Sequence, residues 1–129
     1  MGKTQSMKVL VVDNERGFAS ILAARLQARK ITAESVYSGS QALAIIEHFR
    51  PDVIVLDLQM PDMSGLEVLS RVKVTDPAIE VILLTGNASF DAGIACMQLG
   101  AFDYIFKPVD LDDLIALICD AYHKKARGR

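Results

Sequence analysis

Short aliphatic runs along this chain alternate with stretches in which apolar residues recur every three or four positions. Lys8-Val9-Leu10-Val11-Val12 is the first run and predicts a strand; Phe18, Ile21, Leu22 and Leu26 follow at helical spacing. Ile31 to Tyr37 is mixed but holds enough β-branched residues to predict a weaker strand. Ala42, Ile45, Ile46 and Phe49 mark a second helix, which Pro51 stops. Val53 to Leu56 is aliphatic again, and Val68, Leu69 and Val72 mark a third helix closed by Asp76-Pro77. The series ends with a strand at Val81-Ile82-Leu83-Leu84, a helix carrying Phe90, Ile94 and Met97 up to Gly100, a strand at Tyr104-Ile105-Phe106, and a helix carrying Leu111, Leu114, Ile115 and Ile118.

Strand–helix units in succession imply an α/β domain: a parallel sheet with helices on both faces. Strands covered on both faces are uniformly aliphatic, whereas edge strands are mixed. The second strand carries Ala33-Glu34-Ser35 and the fifth has Asp103 beside it, so both are expected at edges. That predicts a doubly wound, flavodoxin-like (βα)5 sheet with strand order 2-1-3-4-5.

Composition narrows the function. With 129 residues, 51% of them apolar, the chain holds one domain with its own core. Lys+Arg 14 against Asp+Glu 16 gives net −2, which argues against a wholesale polyanion binder. The apolar runs are strand-sized, so no membrane span is expected. Residues 1–6 lack the apolar middle of a signal peptide and are read as a leader before a domain at 7–124. The basic segment 125–129 is read as a tail or the start of a linker, with a solvated helix end as the plainer account. Cys96 and Cys119 are isolated from each other and from any metal-ligand spacing, which predicts free thiols and a cytoplasmic setting. His48 and His123 fall near helix ends and are expected to be exposed.

In open α/β sheets the chemistry collects at the carboxyl ends of strands, beside the point where strand order reverses. Here those ends carry Asp13-Asn14-Glu15, Asp57, Thr85 and Lys107. The reversal lies between strands one and three, so Asp13 and Asp57 should face each other across a crevice that Thr85 and Lys107 close. No Gly-rich phosphate loop follows strand one, and Gly2-Lys3-Thr4 has no strand before it, which argues against a nucleotide or flavin module.

Val11-Val12-Asp13-Asn14-Glu15, Val55-Leu56-Asp57-Leu58-Gln59-Met60-Pro61-Asp62-Met63-Ser64-Gly65, Leu83-Leu84-Thr85-Gly86 and Gly100-Ala101-Phe102-Asp103-Tyr104-Ile105-Phe106-Lys107-Pro108 resemble the motifs of response-regulator receiver domains of bacterial two-component systems, over about residues 7 to 124. The resemblance implies that Asp57 accepts a phosphoryl group from a phosphohistidine on a sensor histidine kinase or phosphotransfer protein. It implies Mg²⁺ held by Asp13, Asn14, Asp57 and the backbone carbonyl of Gln59, with Lys107 and Thr85 on the phosphoryl oxygens. It also implies a Thr85–Tyr104 switch, a Lys107-Pro108 cis peptide, and output through the face of the fourth helix, fifth strand and fifth helix. Relatives dimerise or bind effectors there, and DNA would be reached only through an effector domain outside this chain. The resemblance further implies a regulator of transcription or of another effector, which phosphorylates and dephosphorylates itself without turning over an external substrate. Met60 and Met63 are expected to pack the loop after Asp57.

The family usually has two consecutive acids after strand one, and here the second is Asn14. An amide oxygen can ligate Mg²⁺ but brings no charge, so weaker metal binding is expected; Glu15, one position along, points in a different direction. A haloacid-dehalogenase-type phosphatase is the enzyme alternative, since it also uses an Asp nucleophile ending a central strand. That mechanism needs a second Asp two residues later as acid and base, where this chain has Gln59, which does not ionise.

Overall fold

The computed structural model describes residues 7–86 and 90–128. The expected leader lies outside them. The elements run β1 (Lys8–Val12), α1 (Arg16–Ala28), β2 (Thr32–Val36), α2 (Gly39–Phe49), β3 (Val53–Asp57), α3 (Gly65–Thr75), β4 (Glu80–Thr85), α4 (Phe90–Gln98), β5 (Asp103–Phe106) and α5 (Leu111–Arg127). All strand pairings are parallel and the order is β2-β1-β3-β4-β5, as the aliphatic pattern predicts. Every residue of β3 and β4 is buried, while β2 and β5 alternate or stay half-exposed, so composition and sheet position agree.

Successive strand residues face opposite layers. Val9, Val11, Val53, Val55, Ile82 and Leu84 pack under α1 and α5, whose Leu22, Leu26, Leu114, Ile115 and Ile118 cover them. Leu10, Val12, Ile54, Leu56, Val81 and Leu83 pack under α2, α3 and α4. Among the described residues, side chains cap three helices: Ser38 accepts from the Gln41 amide, Ser64 from that of Glu67 and Asp110 from that of Asp113. Glu15 occupies the N-cap of α1 but its side chain makes no capping bond.

Three residues depart from the helical spacing. Ile21 of α1 and Ile94 and Met97 of α4 are exposed by 55%, 41% and 44%, and α4 turns Gly93 and Cys96 inward instead. A Cβ at position 93 would lie 2.3 Å from the Tyr104 ring, so a larger residue there would have to displace that ring. The segment 125–129, read as a tail or linker, is helical through Arg127, and Lys125 pairs with Asp52 at 2.8 Å. As expected, Cys96 and Cys119 are free thiols, the first buried and the second half-buried. His48 and His123 are exposed, and Met60 and Met63 pack against the α2–α4 layer.

Candidate functional site

β1, β3 and β4 end side by side, and each leaves a polar residue at its carboxyl end. Asp13 is fully buried, Asp57 is 5% exposed and Thr85 2% exposed. Lys107 follows β5 and is held in place by its backbone, whose N–H donates to the Thr85 carbonyl at 2.8 Å; the Lys107-Pro108 peptide is cis. Its Nζ reaches Glu15 Oε1 at 2.8 Å and lies 2.9 Å from Asp13 Oδ2 and 4.0 Å from Asp57 Oδ2. Lys107 meets Asp13 Oδ2 as an ion pair, and that buried oxygen has no hydrogen-bond partner among the described residues. The Phe18 ring lies beneath the same ammonium, 5.1 Å from it.

The loops are built to aim these groups. Asp13 Oδ1 accepts the Glu15 amide at 2.9 Å, and Asp57 Oδ1 accepts the Gln59 amide at 3.1 Å, which leaves each carboxylate its second oxygen. Gly65 lets the start of α3 close against the acceptor loop, since a Cβ there would lie 2.6 Å from the Asp57 carbonyl oxygen. Asn14, Glu15, Asp57, Gln59, Gly86 and Lys107 line an open cleft of about 250 Å³.

The electrostatics follow from this crowding. Burial raises the Asp57 pKa to about 6, and the neighbouring Asp13 charge adds to the rise against the Gln59 amide and Lys107. Burial also works against the Lys107 charge, but the Asp13 and Glu15 carboxylates outweigh it and its pKa rises. Lys107 in turn holds exposed Glu15 below the usual carboxylate range. Near pH 7 Asp57 is thus largely ionised, and its pocket favours added positive charge.

Comparison with known proteins gives the arrangement its family. The sequence profile described as the response regulator receiver domain matches residues 9–119. The chain belongs to this receiver family. It is 36% identical over 110 residues to the DNA-binding transcriptional regulator NtrC of Salmonella typhimurium, covering 85% of this chain and 24% of that protein. It is also 36% identical over 111 residues to the probable transcriptional regulatory protein TcrX of Mycobacterium tuberculosis, covering 86% of this chain and 47% of that one. The chain therefore spans about a quarter to a half of these relatives. Its fold superposes on a receiver domain from Methanospirillum hungatei with TM-score 0.92, 26% identity and coverage of 96% and 99% of the two chains. The beryllofluoride-activated NtrC4 receiver domain dimer matches with TM-score 0.86, 30% identity and coverage of 92% and 98%. The phosphatase alternative finds no support in any of these matches.

Receiver residues expected from sequence divide by geometry. Asp13, Asp57 and Lys107 come together; Asn14 and Gln59 line the same cleft; Thr85 ends the adjacent strand. Tyr104 stands apart on β5, half-buried, edge-to-face with Phe106 at 5.8 Å. Two links were not expected. Glu15 binds Lys107, and Asp62, in the loop after Asp57, accepts the Gly39 and Ser40 amides at the start of α2, which pull its pKa down to about 2. Neither has a local sequence signal, since the partners lie 92, 23 and 22 residues apart.

Proposed function

We propose that this receiver takes a phosphoryl group from the phosphohistidine of a sensor histidine kinase, or of a phosphotransfer protein, onto Asp57. The observation that carries the reading is the meeting of two buried carboxylates, Asp13 and Asp57, with one lysine, Lys107, in a cleft open to solvent. An Asp57 oxygen forms the new bond to phosphorus as the P–N bond breaks, and the electron pair stays on the histidine nitrogen. Lys107 neutralises one phosphoryl oxygen and the Thr85 hydroxyl bonds another.

The donor set suits a hard divalent cation. It offers only oxygens, one of them the buried Asp13 Oδ2 without a hydrogen bond, beside an Asp57 whose pKa is raised. Asp13, Asp57, Asn14 and the Gln59 carbonyl would hold Mg²⁺, which supplies positive charge to the carboxylates and the transferred group.

Phosphorylation shifts the balance between two packings of Thr85 and Tyr104 and alters the α4–β5–α5 face, through which the domain pairs with a second copy or meets an effector. Similarity to the NtrC4 receiver dimer supports pairing, and the transcriptional relatives support DNA contact through an effector domain outside this chain. Water then attacks the phosphorus, the bond to the Asp57 oxygen breaks, and inorganic phosphate leaves as the carboxylate is restored, without turnover of an external substrate, in a cytoplasmic protein. Among the described residues no helix is long and apolar enough to cross a membrane.

Intact-mass spectrometry with a small phosphodonor and Mg²⁺ tests the reading. One phosphoryl group should add to the wild type and none to Asp57→Asn. Full labelling of Asp57→Asn, or steady hydrolysis of a generic phosphomonoester that depends on Asp57, would overturn it.

A further inference from the structure

Of the three carboxylates facing Lys107, the acceptor Asp57 is the most distant, at 4.0 Å from the ammonium; Glu15 is the nearest, at 2.8 Å. Glu15 sits at the N-cap of α1, where a side chain ordinarily accepts an amide of its own helix, yet it makes no such bond. The Glu15 amide donates to Asp13 Oδ1, and the Glu15 side chain turns away from its helix to a residue 92 positions away. The partners also differ in freedom: the Asp13 side chain is 1% exposed and that of Glu15 65%. Glu15 is therefore the partner that can release Lys107 into the cleft at little cost, because its carboxylate is hydrated wherever it swings.

Resting on the assignment of Asp57 as acceptor and Lys107 as its cation, we propose that Glu15 is a positioning residue that holds Lys107 back from Asp57 and slows phosphoryl transfer until it lets go. In the transfer an Asp57 oxygen bonds to phosphorus while the donor's bond breaks; with phosphoramidate the P–N electron pair stays on nitrogen, which leaves as ammonia. Lys107 must then move from its present place to a phosphoryl oxygen. The Glu15 contact has to break for that movement, and the Asp13 contact, fixed in the core, serves as the pivot. The neutral Asn14 cannot do the same work: it lines the cleft but carries no charge with which to draw the lysine.

The test uses the whole chain with phosphoramidate at saturating Mg²⁺, comparing wild type, Glu15→Gln, Glu15→Asp and Asp57→Asn. Glu15→Asp keeps the charge but is one methylene too short to reach Lys107. Both Glu15 variants should be phosphorylated roughly two- to fivefold faster, the range an exposed ion pair is worth. Both should shift the Lys107 side-chain NMR signals and leave the Mg²⁺ midpoint unchanged. Equal rates in Glu15→Gln and wild type would overturn the proposal. So would a fast Glu15→Gln beside a Glu15→Asp at the wild-type rate, which would make Glu15 a charge at the mouth and no restraint. Slower transfer with a higher Mg²⁺ midpoint would place Glu15 in the service of the metal and overturn it as well. Labelling of Asp57→Asn, or no labelling of wild type, would instead defeat the acceptor assignment beneath it.

Discussion

At the amino-terminal edge of the sheet, Asp52 accepts from the Lys8 amide at 2.9 Å and from Lys125 Nζ at 2.8 Å, and Glu80 accepts from Lys124 Nζ at 3.1 Å. At the carboxyl-terminal edge, Asp13, Asp57 and Glu15 all face one ammonium, that of Lys107. Each edge buries a carboxylate oxygen without a hydrogen bond, Glu80 Oε1 at one and Asp13 Oδ2 at the other. The difference is therefore in the ratio of charges. Where each acid has its own lysine the ion pairs tie α5 to the sheet; where three acids share one, the crevice is left wanting a cation. Ion pairs of similar length are thus structural at one edge and reactive at the other, and the ratio tells them apart.

Neutralising one acid at each edge should change stability in opposite directions. The folded Asp57 pKa, about 6, lies above the ordinary 3.8, so the folded chain holds this proton more tightly than the unfolded chain. Burying the charged form costs stability above about pH 6, and the cost fades as pH falls through the window and is gone below about pH 4. Asp57→Asn should therefore stabilise the metal-free protein by about 1–3 kcal/mol near neutral pH and by little in acid, read by urea denaturation at both. Asp52→Asn weakens the Lys125 pair and the bond from the Lys8 amide, and should destabilise by about 1–2 kcal/mol in the same assay. Destabilisation by both would erase the distinction between the edges.

Restoring an acid at position 14 sharpens the contrast. Asn14→Asp adds a further carboxylate to an edge already short of positive charge and should tighten Mg²⁺ binding by about 1–2 kcal/mol, roughly five- to thirtyfold. Phosphorylation should be faster at limiting metal, the gap closing at saturation. Calorimetric titration of both forms measures it, and equal affinities would remove Asn14 from the ligand set. The smallest effect belongs to the exposed Arg71–Glu67 pair on α3, 2.8 Å long. Glu67→Gln should change stability by no more than about 0.5 kcal/mol, setting the scale for an ion pair with no burial.

Much of this was legible in the sequence. Uniform Val-Ile-Leu runs in β1, β3 and β4 and mixed ones in β2 and β5 dictate strand order, because burial on both faces admits only aliphatic residues. The strand ends then place Asp13, Asp57, Thr85 and Lys107 together. What escaped depends on reach across the fold. Lys124 and Lys125 read as a basic helix end because their partners Glu80 and Asp52 are 44 and 73 residues away. The Glu15–Lys107 pair was hidden for the same reason. Ile94 and Met97 have the spacing of a buried face, yet α4 seats Gly93 and Cys96 inward, with the Tyr104 ring occupying the place a side chain at position 93 would take.

The shortage of positive charge at the carboxyl-terminal edge is most directly measured by following the Asp57 side-chain carboxyl carbon by NMR across pH, without metal and then with Mg²⁺. The metal-free midpoint should lie near 6 and fall when Mg²⁺ is added, while the Asp52 signal at fixed pH stays where it was. An Asp57 midpoint at the ordinary 3.8, unmoved by Mg²⁺, would contradict the account.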